Sequence, residues 1–204
     1  MKIIRKNQRL PRPALLTIAT LGWPFVLYLC WVVGVDCIER SMFALATLSG
    51  EITQIDPFQD RYIAHPWQTL VHTVLGVIFA TLGPLQFASP VRTRFPVIHR
   101  WSGRILVPSA ILVGIASITI GLTFPVWGDP RNWIIVVASG AFMVFAFGRG
   151  LLLARQKRFL LHREWMIRGF ATGIAVAWFR VMLDEVLMPS GWDFNTAWNT
   201  VMWT

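Results

Sequence analysis

Long apolar runs, separated by short clusters of one charge sign, set the pattern of this chain. Five windows are nearly free of charge: Ala14–Val35, Pro66–Ala88, Ile105–Phe124, Trp133–Phe147 with its continuation to Leu153, and Arg168–Leu187. A run of about 20 such residues crosses a hydrocarbon core of about 30 Å as a tilted helix. The pattern predicts an all-α, polytopic membrane helix bundle of about five transmembrane helices. It divides the chain into a basic arm at 1–13, a transmembrane domain at 14–187 with an outer loop at 36–65, and a Trp-rich tail at 188–204. Within the outer loop, Ser41–Leu48 reads as a short interfacial helix.

Charge sorts by side. Lys2, Arg5, Lys6, Arg9 and Arg12 precede the first window, Arg92, Arg94, Arg100 and Arg104 separate the second from the third, and six more basic residues lie from Arg149 to Arg168. Nine of the ten acidic residues fall on the opposite side, Glu164 being the exception. Basic residues in short loops stay in the cytoplasm, which predicts a cytoplasmic N-terminus and an outer C-terminus. Five spans require the same opposition of termini.

Composition narrows the class further. Of 204 residues 55% are hydrophobic and 14% are charged, whereas a soluble domain carries about a quarter charged residues. The net charge of +9 sits beside membrane spans, where it answers to lipid head groups, and predicts no nucleic-acid partner. Asp36, Glu39 and Arg40 follow the first apolar run before the Ala44-Leu45-Ala46 triplet, so that run reads as a retained anchor and not a cleaved signal. Cys30 and Cys37, seven apart on a helix, are separated by a rise of about 10.5 Å, too far for a disulfide. No phosphate-binding loop, HExxH, paired-carboxylate site or Gly-x-Ser-x-Gly is present.

Candidate chemistry rests on histidines and arginines at two depths. His99 and His162 fall at the cytoplasmic ends of two different spans, the arrangement by which a bis-histidine haem b is gripped from opposite faces, with both as iron ligands. Arg100, Arg104, Arg163 and Arg168 stand beside them for haem propionates; the alternative is that this group binds lipid phosphate or caps helices. His72 lies about 9 Å inside the second span, and Arg180 about 18 Å from the cytoplasmic end of the fifth. Both fall in the outer third of the bilayer and together suit a quinone head group, a propionate or a proton path. The alternative is that Arg180 snorkels to Asp184 or Glu185. Gly169 and Gly173, with Ala177, make a small-residue face for close helix contact, and Gly83-Pro84 reads as an interruption of the second span. Pro24 and Pro108 are expected to kink their helices or to lie near helix ends.

Three motifs, in order, carry a resemblance. His72 with Gly83-Pro84-Leu85-Gln86-Phe87, then Arg92-Thr93-Arg94-Phe95-Pro96-Val97-Ile98-His99-Arg100-Trp101-Ser102-Gly103-Arg104, then His162-Arg163-Glu164-Trp165-Met166-Ile167-Arg168 with Phe179-Arg180, resemble the bacterial predicted-membrane-protein family catalogued as domain of unknown function 2306. The likeness covers roughly residues 65–185 and implies that His72, His99, His162 and Arg180 occupy family motif positions. It also implies a multi-pass protein of the bacterial inner membrane. A looser likeness to cytochrome b561-type proteins implies haems between helices, but only His99 and His162 offer two helices at one depth.

The expected function is that of an accessory subunit of a redox, respiratory or photosynthetic membrane complex, with haem b or quinone as candidate cofactors and other membrane subunits as partners. The Trp-rich tail is expected on the outer surface or packed into such a neighbour. One alternative is a stand-alone single-haem cytochrome or quinone-linked redox protein. A small transporter ranks third, because one broken helix is present where transporters carry a pair.

Overall fold

The computed structural model describes residues 12–52, 64–123 and 129–203, with side chains from residue 22 onward. All the regular structure described is helical: α1 (Arg12–Leu48), α2 (Pro66–Phe87), α3 (Ser89–Arg94), α4 (Pro96–Thr123), α5 (Asn132–Arg155), α6 (Phe159–Arg180) and α7 (Phe194–Trp203). A π-helical turn, Val181–Leu187, continues α6. The basic arm lies almost wholly outside the described residues.

Three helices outrun their apolar windows. The segment from Asp36 to Leu48, expected as loop with a separate interfacial helix, is the continuation of the 37-residue α1. Its polar residues are satisfied on the helix. Arg40 Nε donates to Asp36 Oδ2 at 2.8 Å one turn back, and Ser41 Oγ donates to the Cys37 carbonyl at 2.7 Å. The helix stops at Gly50, whose φ of 78° is reached cheaply only without a Cβ. There Glu51 N–H returns to the Ala46 carbonyl and Gly50 N–H to that of Thr47, closing the last turn. α4 and α6 likewise begin nine residues before their predicted spans, so Arg100, Arg104 and Arg163 lie on helices and not in loops. Pro96, at the first position of α4, needs no N–H donor and is preset for a helix.

Gly83-Pro84 does not break α2, which runs on to Phe87. The Gly83 position is instead filled from α6, because a Cβ there would meet the Phe170 ring. Pro24 and Pro108 both lie inside their helices.

Consecutive long helices pack side by side, and α6 returns to α1, so that α1, α2, α4, α5 and α6 close a ring. The core is aromatic. Phe79 of α2 stands 6.1 Å from Phe147 of α5 and 5.3 Å from Phe170 of α6, and Phe87 adds a fourth ring 5.0 Å from Phe170. Gly173 receives the Phe79 ring and Gly169 the Phe147 ring. The small-residue face of α6 therefore accepts side chains, while at Gly114 of α4 and Gly140 of α5 each glycine faces the other's backbone carbonyl. Cys30 and Cys37 are buried and free.

Among the described residues four helices are long and apolar enough to cross a membrane: α2, α4, α5, and α6 with its π turn. The first expected span, Ala14–Val35, falls within α1, the side chains of whose first ten residues lie outside those described. Trp31, Leu122, Phe145 and Val176 point outward from the bundle, the surface of a protein solvated by lipid. The tail packs against its own chain. It folds into α7, buries Trp198 against Phe179 at 4.8 Å, and is latched to α5 by the Trp203 indole N–H on Asn132 Oδ1 at 2.9 Å.

Candidate functional site

Polar side chains gather at both ends of the ring, one end acidic and one basic, and the aromatic layer lies between them. At the acidic end three helices contribute. α1 supplies Asp36 and Arg40, α2 supplies His72, and α6 supplies Arg180. The Asp36 carboxylate serves two guanidinium groups, with Arg40 on Oδ2 at 2.8 Å and Arg180 3.7 Å from Oδ1. Both partners of the interhelical pair are partly shielded, Arg180 being 23% exposed and Asp36 34%. Asp36 and Arg40 lie near enough to His72 for their charges to bear on it, and the Val113 carbonyl of α4 is hydrogen-bonded to the imidazole. His72 Nδ1 is buried without a hydrogen-bond partner.

Local packing fixes this arrangement. Ser41 Oγ and Thr73 Oγ1 share a 2.7 Å hydrogen bond that ties α1 to α2 beside His72. Gly76 leaves room for the Cys37 sulfur, which lies 2.7 Å from where a Cβ would stand. The expected common level of His72 and Arg180 is thus realised through Asp36. Arg180 pairs across the bundle with Asp36, while Asp184 and Glu185 are exposed. Asp36 and Arg40 were absent from the sequence-derived site, having read as loop. The signal for them is their spacing of four, which on a helix makes an ion pair.

At the basic end His99 and His162 are the fourth residues of α4 and α6. They come close enough for the charge of one to bear on the other, and Arg92 of α3 bears on His99 as well. The His162 ring is held by an Nδ1 hydrogen bond with the Gly150 carbonyl at 2.8 Å. His99 Nδ1 is buried without a hydrogen-bond partner. Beside it, Gln86 Nε2 donates to Ser102 Oγ at 2.6 Å and ties α2 to α4. The expected arginines do not converge on the two imidazoles. Arg104 lies over the Trp101 ring at 4.6 Å; Arg168 lies over Trp165 at 5.0 Å and pairs with Glu164 at 3.6 Å; Arg100 and Arg163 are exposed. Arg92, half-buried on α3, is the arginine whose charge bears on His99, and it lies outside the expected set.

Between the ends, Phe79, Phe87, Phe147 and Phe170 with Met143, Met166 and Leu106 fill the middle of the bundle. Among the described residues no group of three or more His, Cys, Asp or Glu gathers to hold a metal ion.

The helices, their lipid-facing apolar surfaces and their charge-sorted ends define a multi-pass integral membrane protein. The family model described as Predicted membrane protein (DUF2306) matches residues 69–204, two thirds of the chain, and the protein belongs to that family. The match takes in the basic-end pair, His72, Arg180 and α7, and starts beyond α1. No curated protein and no solved structure matches the chain. The likeness to cytochrome b561-type proteins gains no support: at the acidic end the charged groups beside His72 are Asp36 and Arg40, with no second histidine among them.

Proposed function

We propose that this protein is an accessory membrane subunit of a redox assembly that holds a quinone-class head group at its acidic end. The observation that carries the reading is the convergence of Arg180, Asp36, Arg40 and His72 from three helices, with His72 Nδ1 buried and unpartnered. Ionisable groups within spanning helices are expensive and mark function by default. The Arg180 guanidinium, 3.7 Å from Asp36, supplies a donor that suits the oxygens of a quinone and the anion it becomes on reduction. With its other ring nitrogen donating to the Val113 carbonyl, His72 offers Nδ1, which accepts from a quinol hydroxyl when neutral and donates to a quinone oxygen when the imidazole is protonated. Bound there, a quinone supplies the redox chemistry; the chain's own residues position it and hold a proton at the imidazole. Phe25 and Trp178 meet edge to face at 5.9 Å where α1 and α6 adjoin, an aromatic surface suited to an isoprenoid tail.

The redox-assembly part of the reading is supported by what the chain offers besides this site: exposed aromatic helices for contact and short connections. Haem b fits the basic end less well. His162, with Nδ1 engaged and Nε2 left over, has the set of an axial ligand. The interior at that level is filled, however, with Met166 against Gly150 and Phe170 against Gly83, where a porphyrin needs a slot. The transporter reading meets the aromatic layer, which separates the two polar ends.

The test is organic extraction of protein purified gently from its native membrane, with the quinones quantified and the co-purifying proteins identified. Stoichiometric quinone, depleted in Arg180→Leu and in His72→Gln, together with redox subunits among the partners, is expected. Wild-type protein that carries no quinone and binds none on addition would overturn the reading.

A further inference from the structure

Among the described residues, the charges that bear on His99 at the basic end are positive, with no carboxylate beside them. Glu164 is the single acidic residue on that side of the sequence, and it is engaged by Arg168. Arg92 and His162 both press positive charge on His99, whose Nδ1 is buried and unpartnered. Each of these histidines also sits in the first turn of its helix, where unsatisfied backbone N–H groups add positive potential. A site of this sign calls for an anion. The surroundings say which source. Two corners of the chain flank the cluster and expose apolar side chains: Val97 and Ile98 at the start of α4, 57% and 51% exposed, and Phe159 and Leu160 at the start of α6, 64% and 82%. Trp101 and Trp165, each stacked under an arginine, mark the head-group layer. A soluble anion has no use for apolar corners, whereas acyl chains do.

We infer that Arg92 and His99 hold the phosphate of an anionic phospholipid whose acyl chains lie on those corners. Arg92 presents the planar fork that binds phosphate oxygens in pairs. His99 donates one hydrogen bond from Nδ1, and His162, fixed by Gly150, adds charge without moving. The site is separate from the proposed quinone site and stands or falls without it.

The experiment uses the full-length protein in mild detergent, titrated with phosphatidylglycerol, with phosphatidylcholine and with inorganic phosphate, and read by native mass spectrometry and by melting temperature. Loss of a paired charge-assisted contact weakens binding about tenfold or more, so Arg92→Gln and His99→Gln are each expected to reduce phosphatidylglycerol retention to that extent. Arg94→Gln, on the same short helix but exposed, is expected to stay within about twofold. Wild-type protein should prefer phosphatidylglycerol over phosphatidylcholine and ignore phosphate. If Arg92→Gln fails to fold, His99→Gln carries the comparison alone. Three results would each overturn the inference: Arg94→Gln as damaging as His99→Gln, which means diffuse surface charge; equal protection by inorganic phosphate; or a haem absorption band that requires both His99 and His162.

Discussion

Arg180, at the end of α6, lies 3.7 Å from Asp36 in the middle of α1, and this ion pair joins the last long helix to the first. Residues 144 positions apart in the chain thereby share one carboxylate with Arg40. The pair sits where the ring of helices closes, so it bears on both the bundle and the polar site.

Removing one partner leaves the other charge unmatched in a partly dry site. Arg180→Leu is expected to lower stability by about 1–2 kcal/mol, between the values for exposed and fully buried pairs. Asp36→Asn, which weakens the contacts to both Arg40 and Arg180, should be at least as damaging. The double variant should recover part of the loss. Denaturant titrations of the four proteins measure the coupling, and strictly additive losses would show that the pair contributes nothing.

Glycines separate close packing from open space. Gly140→Ala puts a methyl 2.7 Å from the Gly114 carbonyl, a backbone atom unable to step aside, and Gly83→Ala drives into the Phe170 ring. Each should destabilise by about 1–3 kcal/mol. Gly148→Ala has nothing within 4 Å and lies inside α5; it should be neutral or stabilising by up to about 1 kcal/mol. Melting temperatures ordered otherwise would contradict the helix packing described.

The α7 clasp turns on two asparagines. Asn199 Oδ1 accepts from the Asp129 backbone N–H at 2.8 Å and from Asn132 Nδ2 at 2.9 Å. Asn199→Ala takes the acceptor from the Asp129 N–H, at about 1–3 kcal/mol if that group stays dry. Limited proteolysis should then clip the tail sooner than in the wild type, with the bundle intact. Unchanged cleavage kinetics would mean that Trp198 and the Trp203–Asn132 bond hold α7 in place without Asn199.

Acid should spare the Asp129–Arg131 contact below the ordinary carboxylate range. Hydrogen bonds from Arg131 hold the Asp129 carboxyl down from its ordinary 3.8 to about 2. A depressed carboxylate lends stability above its unfolded value and loses it as pH falls through the folded one. Carboxylate signals of Asp129 in isotope-edited spectra should therefore stay ionised at pH 3. Protonation near pH 4 would mean that the Arg131 contacts do not persist.

A reduced-minus-oxidised visible spectrum is expected to show no b-type band, because side chains fill the basic end around Gly83 and Gly150. A band at one haem per chain, lost in His99→Ala and in His162→Ala, would restore the bis-histidine reading.

Apolar run length and the segregation of charge sufficed for the class of protein and the approximate helices. Those properties are local, since a helix of known rise converts residue number into depth. Gly83-Pro84 misled, because whether a proline interrupts a helix depends on neighbours, here the Phe170 ring from α6. The stretch from Asp36 to Leu48 misled for a related reason: charge reads as loop until its partners are known, and the partner of Asp36 beyond its own helix is Arg180. Depth alone placed His72 level with Arg180 but left the rotation of each helix free. Rotation is decided by packing, through Gly76 against Cys37, Ser41 with Thr73, and Gly173 against Phe79. That is why the arginine beside His99 is Arg92, while Arg104 and Arg168 stack on tryptophans of their own helices.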